Sequence, residues 1–194
     1  RNGVPFFNAI ATETQRLGGT EYTLNSVFSD IESGVDTGGG HPDDDGVFHY
    51  QADPKLMYEK DPTEHSPILG FAFDGHPIYG PYGYTTSNDK TIKVQTSSYR
   101  FRSTSRANGS NPDGRYIEDF EYVSGLGDLD EHNGRFIVTP EYPNGTYAYF
   151  VTVDPNDTTK SVYPYIIGPD YHGKPIIPNG NFSMPSNDTI PAQA

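Results

Sequence analysis

Cysteine and tryptophan are both absent from the 194 residues. Without cysteine there is no disulfide framework, no thiol nucleophile and no thiolate-bound zinc. Any metal would have to be held by histidines and carboxylates. The lack of tryptophan argues against a sugar-stacking groove built on indole. Basic residues are scarce: 13 Lys and Arg stand against 26 Asp and Glu, for a net charge of −13. Such a surface repels nucleic-acid phosphates and anionic membranes, and suits an extracellular protein or one that gathers cations. No apolar run approaches the roughly 18 residues of a membrane-spanning helix. The chain opens at Arg1 with neither Met nor a signal peptide, which reads as a mature or truncated product. For a chain that starts there, a copper site built on an N-terminal histidine is not expected. No Gly-X-Ser-X-Gly elbow and no phosphate-cradling loop occurs. The paired carboxylates Asp119/Glu121 and Asp128/Asp130 show no spacing that points to a glycosidase cleft.

What is present is 21 Gly, 17 Pro, 15 Tyr and 11 Phe. Gly and Pro cut the chain into short segments, and aromatics favour half-buried strands. The expectation is a mainly β fold: one sandwich-like or irregular β domain with long loops over residues 1–173, and an extended Pro/Asn/Ser-rich tail over 174–194. Residues 1–24 read as a strand-like apolar piece followed by a polar connection. ILGFAF (68–73) reads as a buried strand, followed by tight turns around a short second one. Residues 91–102 alternate as a strand, 117–123 as a strand with one wet face, and 146–154 as the clearest strand of the second half. YPYIIGP (163–169) reads as a short apolar strand.

Five Asn-X-Ser/Thr sequons, at Asn108, Asn144, Asn156, Asn181 and Asn187, lie in Gly/Pro/Asp-rich contexts that read as surface loops. They point to an N-glycosylated, secreted protein. Four of the six histidines, His41, His49, His65 and His76, fall within 36 residues, each beside Gly, Pro or a carboxylate. Histidine is the commonest metal ligand and a base near neutral pH. Two histidines from adjacent strands plus a carboxylate, with Asp74 the candidate, would suit zinc, copper or manganese. Read singly, each is an ordinary strand-edge residue. The run Asp43-Asp44-Asp45-Gly46 lacks the alternating ligands of an EF-hand and reads as a solvated turn. Asp128, Asp130 and Glu131 leave open a calcium site of another kind.

The phrases NGVPFFNA, GGHP, Phe48-His49-Tyr50 and HSPILGFAFDGHPIYGPYGY, continued by SSYRFR, DGRYIEDFEYV, GLGDLDEHNGRF, TPEYPNGTYAYFVT and YPYIIGPDYHG, resemble the YHYH-domain family of secreted proteins over roughly residues 1–173. The resemblance implies a β-rich extracellular domain more firmly than any activity. Its Tyr-His-Tyr-His tetrad matches Phe48-His49-Tyr50-Gln51, so that Gln51 stands where a second histidine is expected. His41 and His65 match the Gly-Gly-His-Pro and His-Ser-Pro elements. His132 stands where the family commonly has cysteine. Losing the tetrad histidine weighs against copper or zinc and towards oxygen-rich cation binding.

The resulting expectation is a structural, self-assembling extracellular subunit, a homo-oligomer or fibril, with N-linked glycans and a divalent cation such as calcium, copper or zinc. Whether it is an enzyme is left open, with the residues leaning against one. The alternative is a metal-binding protein or metalloenzyme built on His41, His49, His65 and His76. Neither nucleic acid nor a membrane span is expected.

Overall fold

The computed structural model describes residues 2–28, 34–43 and 45–175. The end of the expected tail, with Asn181 and Asn187, lies outside the described residues, as does Asp44.

The chain runs through short strands, mostly joined as neighbours. β1 (Ile10–Leu17) and β2 (Thr20–Asn25) form one hairpin, and β3 (Gly40–Pro42) and β4 (Phe48–Tyr50) another. β5 (Ile68–Phe71) and β6 (Pro77–Tyr79) follow, then β7 (Tyr82–Tyr84) with β8 (Ile92–Val94). β9 (Tyr99–Phe101) pairs with β10 (Phe120–Tyr122) across a loop that ends in one 3-10 turn, Ile117–Asp119. β11 (Gly134–Ile137) and β12 (Thr146–Phe150) come next, and β13 (Val153–Asp154) with β14 (Asp157–Ser161) closes the described strands.

The centre is a four-stranded sheet in the order β11-β12-β6-β5, in which β12 and β6 run parallel and the other pairs antiparallel. Around it the two-stranded hairpins make an irregular, mainly β domain, as the composition implies. Central strands β6 and β12 are buried almost throughout, and Ile78, Tyr79, Tyr149 and Phe150 have no exposed surface. Each such side chain is worth about 1.5–3 kcal/mol of apolar burial. Tyrosines are tolerated there because their hydroxyls find partners. Tyr79 Oη bonds Thr139 Oγ1 at 2.8 Å and donates to Glu141 at 2.9 Å, and Tyr149 Oη donates to Asp74 Oδ2 at 2.6 Å.

Several strand expectations change. The polar connection after NGVPFFNAI is the β1–β2 hairpin, whose residues are mostly exposed. With two wet faces it carries no hydrophobic alternation for a sequence pattern to register. Residues 91–102 break into β8 and β9, because Gln95 and Ser98 turn inward and are buried. Residues 117–119 are a 3-10 turn because Asp119, expected on a wet face, is drawn inside by Arg106. YPYIIGP is buried but is no strand; it holds one isolated bridge, between Tyr165 and Ile167.

Candidate metal centre

The β3–β4 hairpin is closed by Asp43. Its N–H donates to Val47 O at 3.0 Å, and its Oδ1 accepts from the N–H of Val47 at 2.8 Å and of Asp45 at 3.0 Å. The first aspartate of the acidic run is therefore a turn clamp, a common use of Asp. The register sets His41 directly opposite His49. Directly opposed residues share a sheet face. Gln51, two residues beyond His49, returns to that same face. The two imidazole rings stand 4.4 Å apart, centroid to centroid. Gly39, at φ +86°, brings the chain into β3 so close to the Asp53 carbonyl that a Cβ there would clash with it.

The N-terminal segment supports the pair from behind. Phe7 N–H donates to Tyr50 O at 2.7 Å, and Tyr50 N–H to Pro5 O at 3.0 Å, laying residues 5–8 along β4. The Phe7 ring stacks on His49, with centroids 3.8 Å apart and planes 15° from parallel. Gln51 Nε2 donates to Asn8 O at 3.1 Å, which turns Oε1 towards the histidines. That oxygen lies 3.1 Å from His41 Nε2 and 3.3 Å from His49 Nε2. His49 is 2% exposed, while His41 and Gln51 border a cavity of about 420 Å³ walled in part by Val27, Val35 and Lys55.

The protons decide what this arrangement can hold. His49 Nδ1 lies 3.0 Å from Val47 O, which can only accept, so Nδ1 carries the hydrogen. In the neutral ring, Nε2 then presents a lone pair to a second acceptor, Gln51 Oε1. Two facing acceptors repel unless positive charge stands between them. A metal bonded at about 2.0–2.2 Å spaces neighbouring donors about 2.9–3.5 Å apart, and both separations here fall in that range.

The four histidines singled out by spacing do not converge on one point. His65 Nδ1–H donates to Ser66 O at 2.8 Å, and its ring meets Tyr79 and Tyr84 edge-on. His76 packs against Tyr147 and His172, at 5.1 and 5.7 Å. Asp74 accepts from Tyr149 Oη, from Gly173 N–H at 3.0 Å and from His76 N–H at 3.3 Å; it anchors the Tyr171–Gly173 segment. Asp128 is bound to Lys93 and Thr96, and Asp130 to Tyr147, His132 and Gly134. Among the described residues, no group of three or more His, Cys, Asp or Glu side chains is placed to hold a metal ion. The His41/His49 set differs in taking an amide oxygen as its third donor. Sequence reasoning missed that donor, together with Phe7 and Asn8. The strand pattern His49-X-Gln51 was the available signal, since it places both residues on one face.

His65 has a separate consequence. Burial holds its imidazole below the ordinary 6.5, and its Nε2 is enclosed without a hydrogen-bond partner. The folded protein thus resists a proton that the unfolded chain accepts, so this contribution to stability is present above 6.5 and lost as pH falls below it. His65→Gln is expected to flatten the fall in melting temperature between pH 6.5 and about pH 5. Equal slopes for the two proteins in a pH series of thermal melts would refute this.

A sequence model for the family described as YHYH protein matches residues 1–163. No curated protein and no solved structure matches the chain.

Proposed function

The chain belongs to the YHYH protein family, and on that premise we propose that it is an extracellular cation-binding domain that holds a zinc or copper(II) ion on His41 Nε2, His49 Nε2 and Gln51 Oε1. What supports this is one observation: the His49 Nδ1–H bond to Val47 and the Gln51 bond to Asn8 leave two acceptors facing each other. Imidazole nitrogens favour zinc and copper over calcium, and a neutral amide oxygen completes a face without adding charge. The adjoining cavity leaves further coordination positions to water or a small ligand. Titrating metal-stripped protein with each ion, followed by elemental analysis, tests it. One equivalent retained through gel filtration is expected. No uptake of either ion would overturn the metal reading.

A second reading, a glycosylated subunit that associates with copies of itself, is favoured by other features. Asn108, Asn144 and Asn156 all lie on exposed turns, as sequon acceptors must, and Phe101 is 51% exposed. Sedimentation of the glycosylated chain is expected to show an oligomer that Phe101→Asp shifts towards monomer. A monomer at every concentration would sink this reading.

A further inference from the structure

Phe136 is 70% exposed although it lies on a strand, β11, whose next residue, Ile137, is 1% exposed. One exposed phenylalanine is ordinary on a protein surface, but the ring of this one is set against the turn of a sequon. Its ring lies over Gly145, where a Cβ would stand 2.6 Å from one ring carbon and 3.1 Å from another. Gly145 is the middle residue of the sequon Asn144-Gly145-Thr146. A tight turn presents that sequon: Gly145 N–H donates to Tyr142 O at 3.0 Å, and Tyr142 N–H is tied to Thr139 Oγ1 at 3.1 Å. Asn144 is exposed, and its side chain makes no hydrogen bond among the described residues. By contrast, Asn108 Oδ1 accepts from Ser110, and Asn156 Nδ2 donates to Asp154.

We propose that Phe136 is a platform for the first sugar of an N-linked glycan on Asn144. The electron-rich face of an aromatic ring attracts the C–H face of a pyranose, as it attracts other positive edges. Gly145, next to the acceptor in sequence and packed against the ring, puts no side chain of its own in the sugar's way. The platform rests on the glycosylated, extracellular reading and adds to it why this strand carries an exposed aromatic.

The test uses the full chain made in a eukaryotic secretory host as wild type, Phe136→Leu and Phe136→Thr. Leucine keeps apolar area without the ring, and threonine keeps strand propensity. Glycopeptide mass spectrometry reads occupancy at Asn144, and thermal melts are compared before and after enzymatic removal of the glycans. Deglycosylation is expected to lower the wild-type melting temperature by about 2–4 °C more than that of either variant. Loss of the sugars at other sequons is common to all three proteins and cancels. In glycoprotein trimmed to single sugars, NMR is expected to show an acetyl methyl shifted upfield by the Phe136 ring, and back at its ordinary position in both variants. An occupied Asn144 with equal melting losses and no shifted methyl overturns the platform alone. An unoccupied Asn144 overturns glycosylation at this site, and the platform with it.

Discussion

Asp119→Ala is expected to destabilise the protein by about 2–4 kcal/mol, because it takes from a buried guanidinium its buried counter-charge and leaves only the half-exposed Asp113 facing it. The Asp119 side chain has no exposed surface and that of Arg106 is 6% exposed. Arg106 reaches the carboxylate through Nε at 2.7 Å and Nη2 at 2.6 Å, a two-pronged contact. The same carboxylate accepts from the N–H groups of Gly114 at 3.0 Å and Tyr116 at 3.2 Å, which organises the loop leading into β10. Removing it therefore leaves Arg106 with Asp113 alone, which meets Nη2 at 2.5 Å, and strands the backbone N–H groups of Gly114, Tyr116 and, at 3.3 Å, Asp113. For a chain of this size the loss corresponds to a fall in melting temperature on the order of 10 °C. Asp119→Asn is expected to fall between alanine and wild type, since an amide oxygen can still accept. Replacing both partners with leucine should recover part of the loss, because the charge imbalance goes while the backbone donors stay unmatched. A shift below about 1 kcal/mol for Asp119→Ala in chemical denaturation would mean that the pair behaves as an exposed one.

The second large effect concerns the metal. His49→Ala is expected to weaken zinc or copper(II) binding by at least about 100-fold, because even residues that merely orient a ligand are worth about 10–100-fold. Gln51→His should act in the opposite direction, tightening binding by about tenfold or more, since it exchanges an amide oxygen for an imidazole nitrogen. Competition against a chelator of known affinity measures both. Unchanged affinity in His49→Ala would remove this histidine from the site. Weaker binding in Gln51→His would show that Oε1, held by Asn8, is the better-placed donor.

Much of this could be read before the fold was known. The aromatic TYAYF and the apolar ILGF located two strands of the central sheet. The five-residue gap between the GHP and FHY segments, with its Asp and Gly, is hairpin chemistry. The β1–β2 hairpin was illegible because exposed strands have no buried face to mark. Asp119 was misplaced because an acidic residue reads as wet until a partner is found, and Arg106 is thirteen residues away across a loop. The grouping of His65 and His76 with His41 and His49 followed nearness in the chain, which strands and turns do not preserve in space.

By itself the sequence determined the mainly β class, the exclusion of thiol chemistry, the turn positions of Asn108, Asn144 and Asn156, and the shared face of His49 and Gln51. Each of these depends on residue type or on the two-residue repeat of a strand, and so is local. The tertiary structure alone decided which histidines meet, that Asn8 aims the Gln51 oxygen, that Phe7 covers His49, and that Phe136 overlies Gly145. Those contacts join segments whose approach is set by packing of the whole chain, where many weak burials outweigh any local preference.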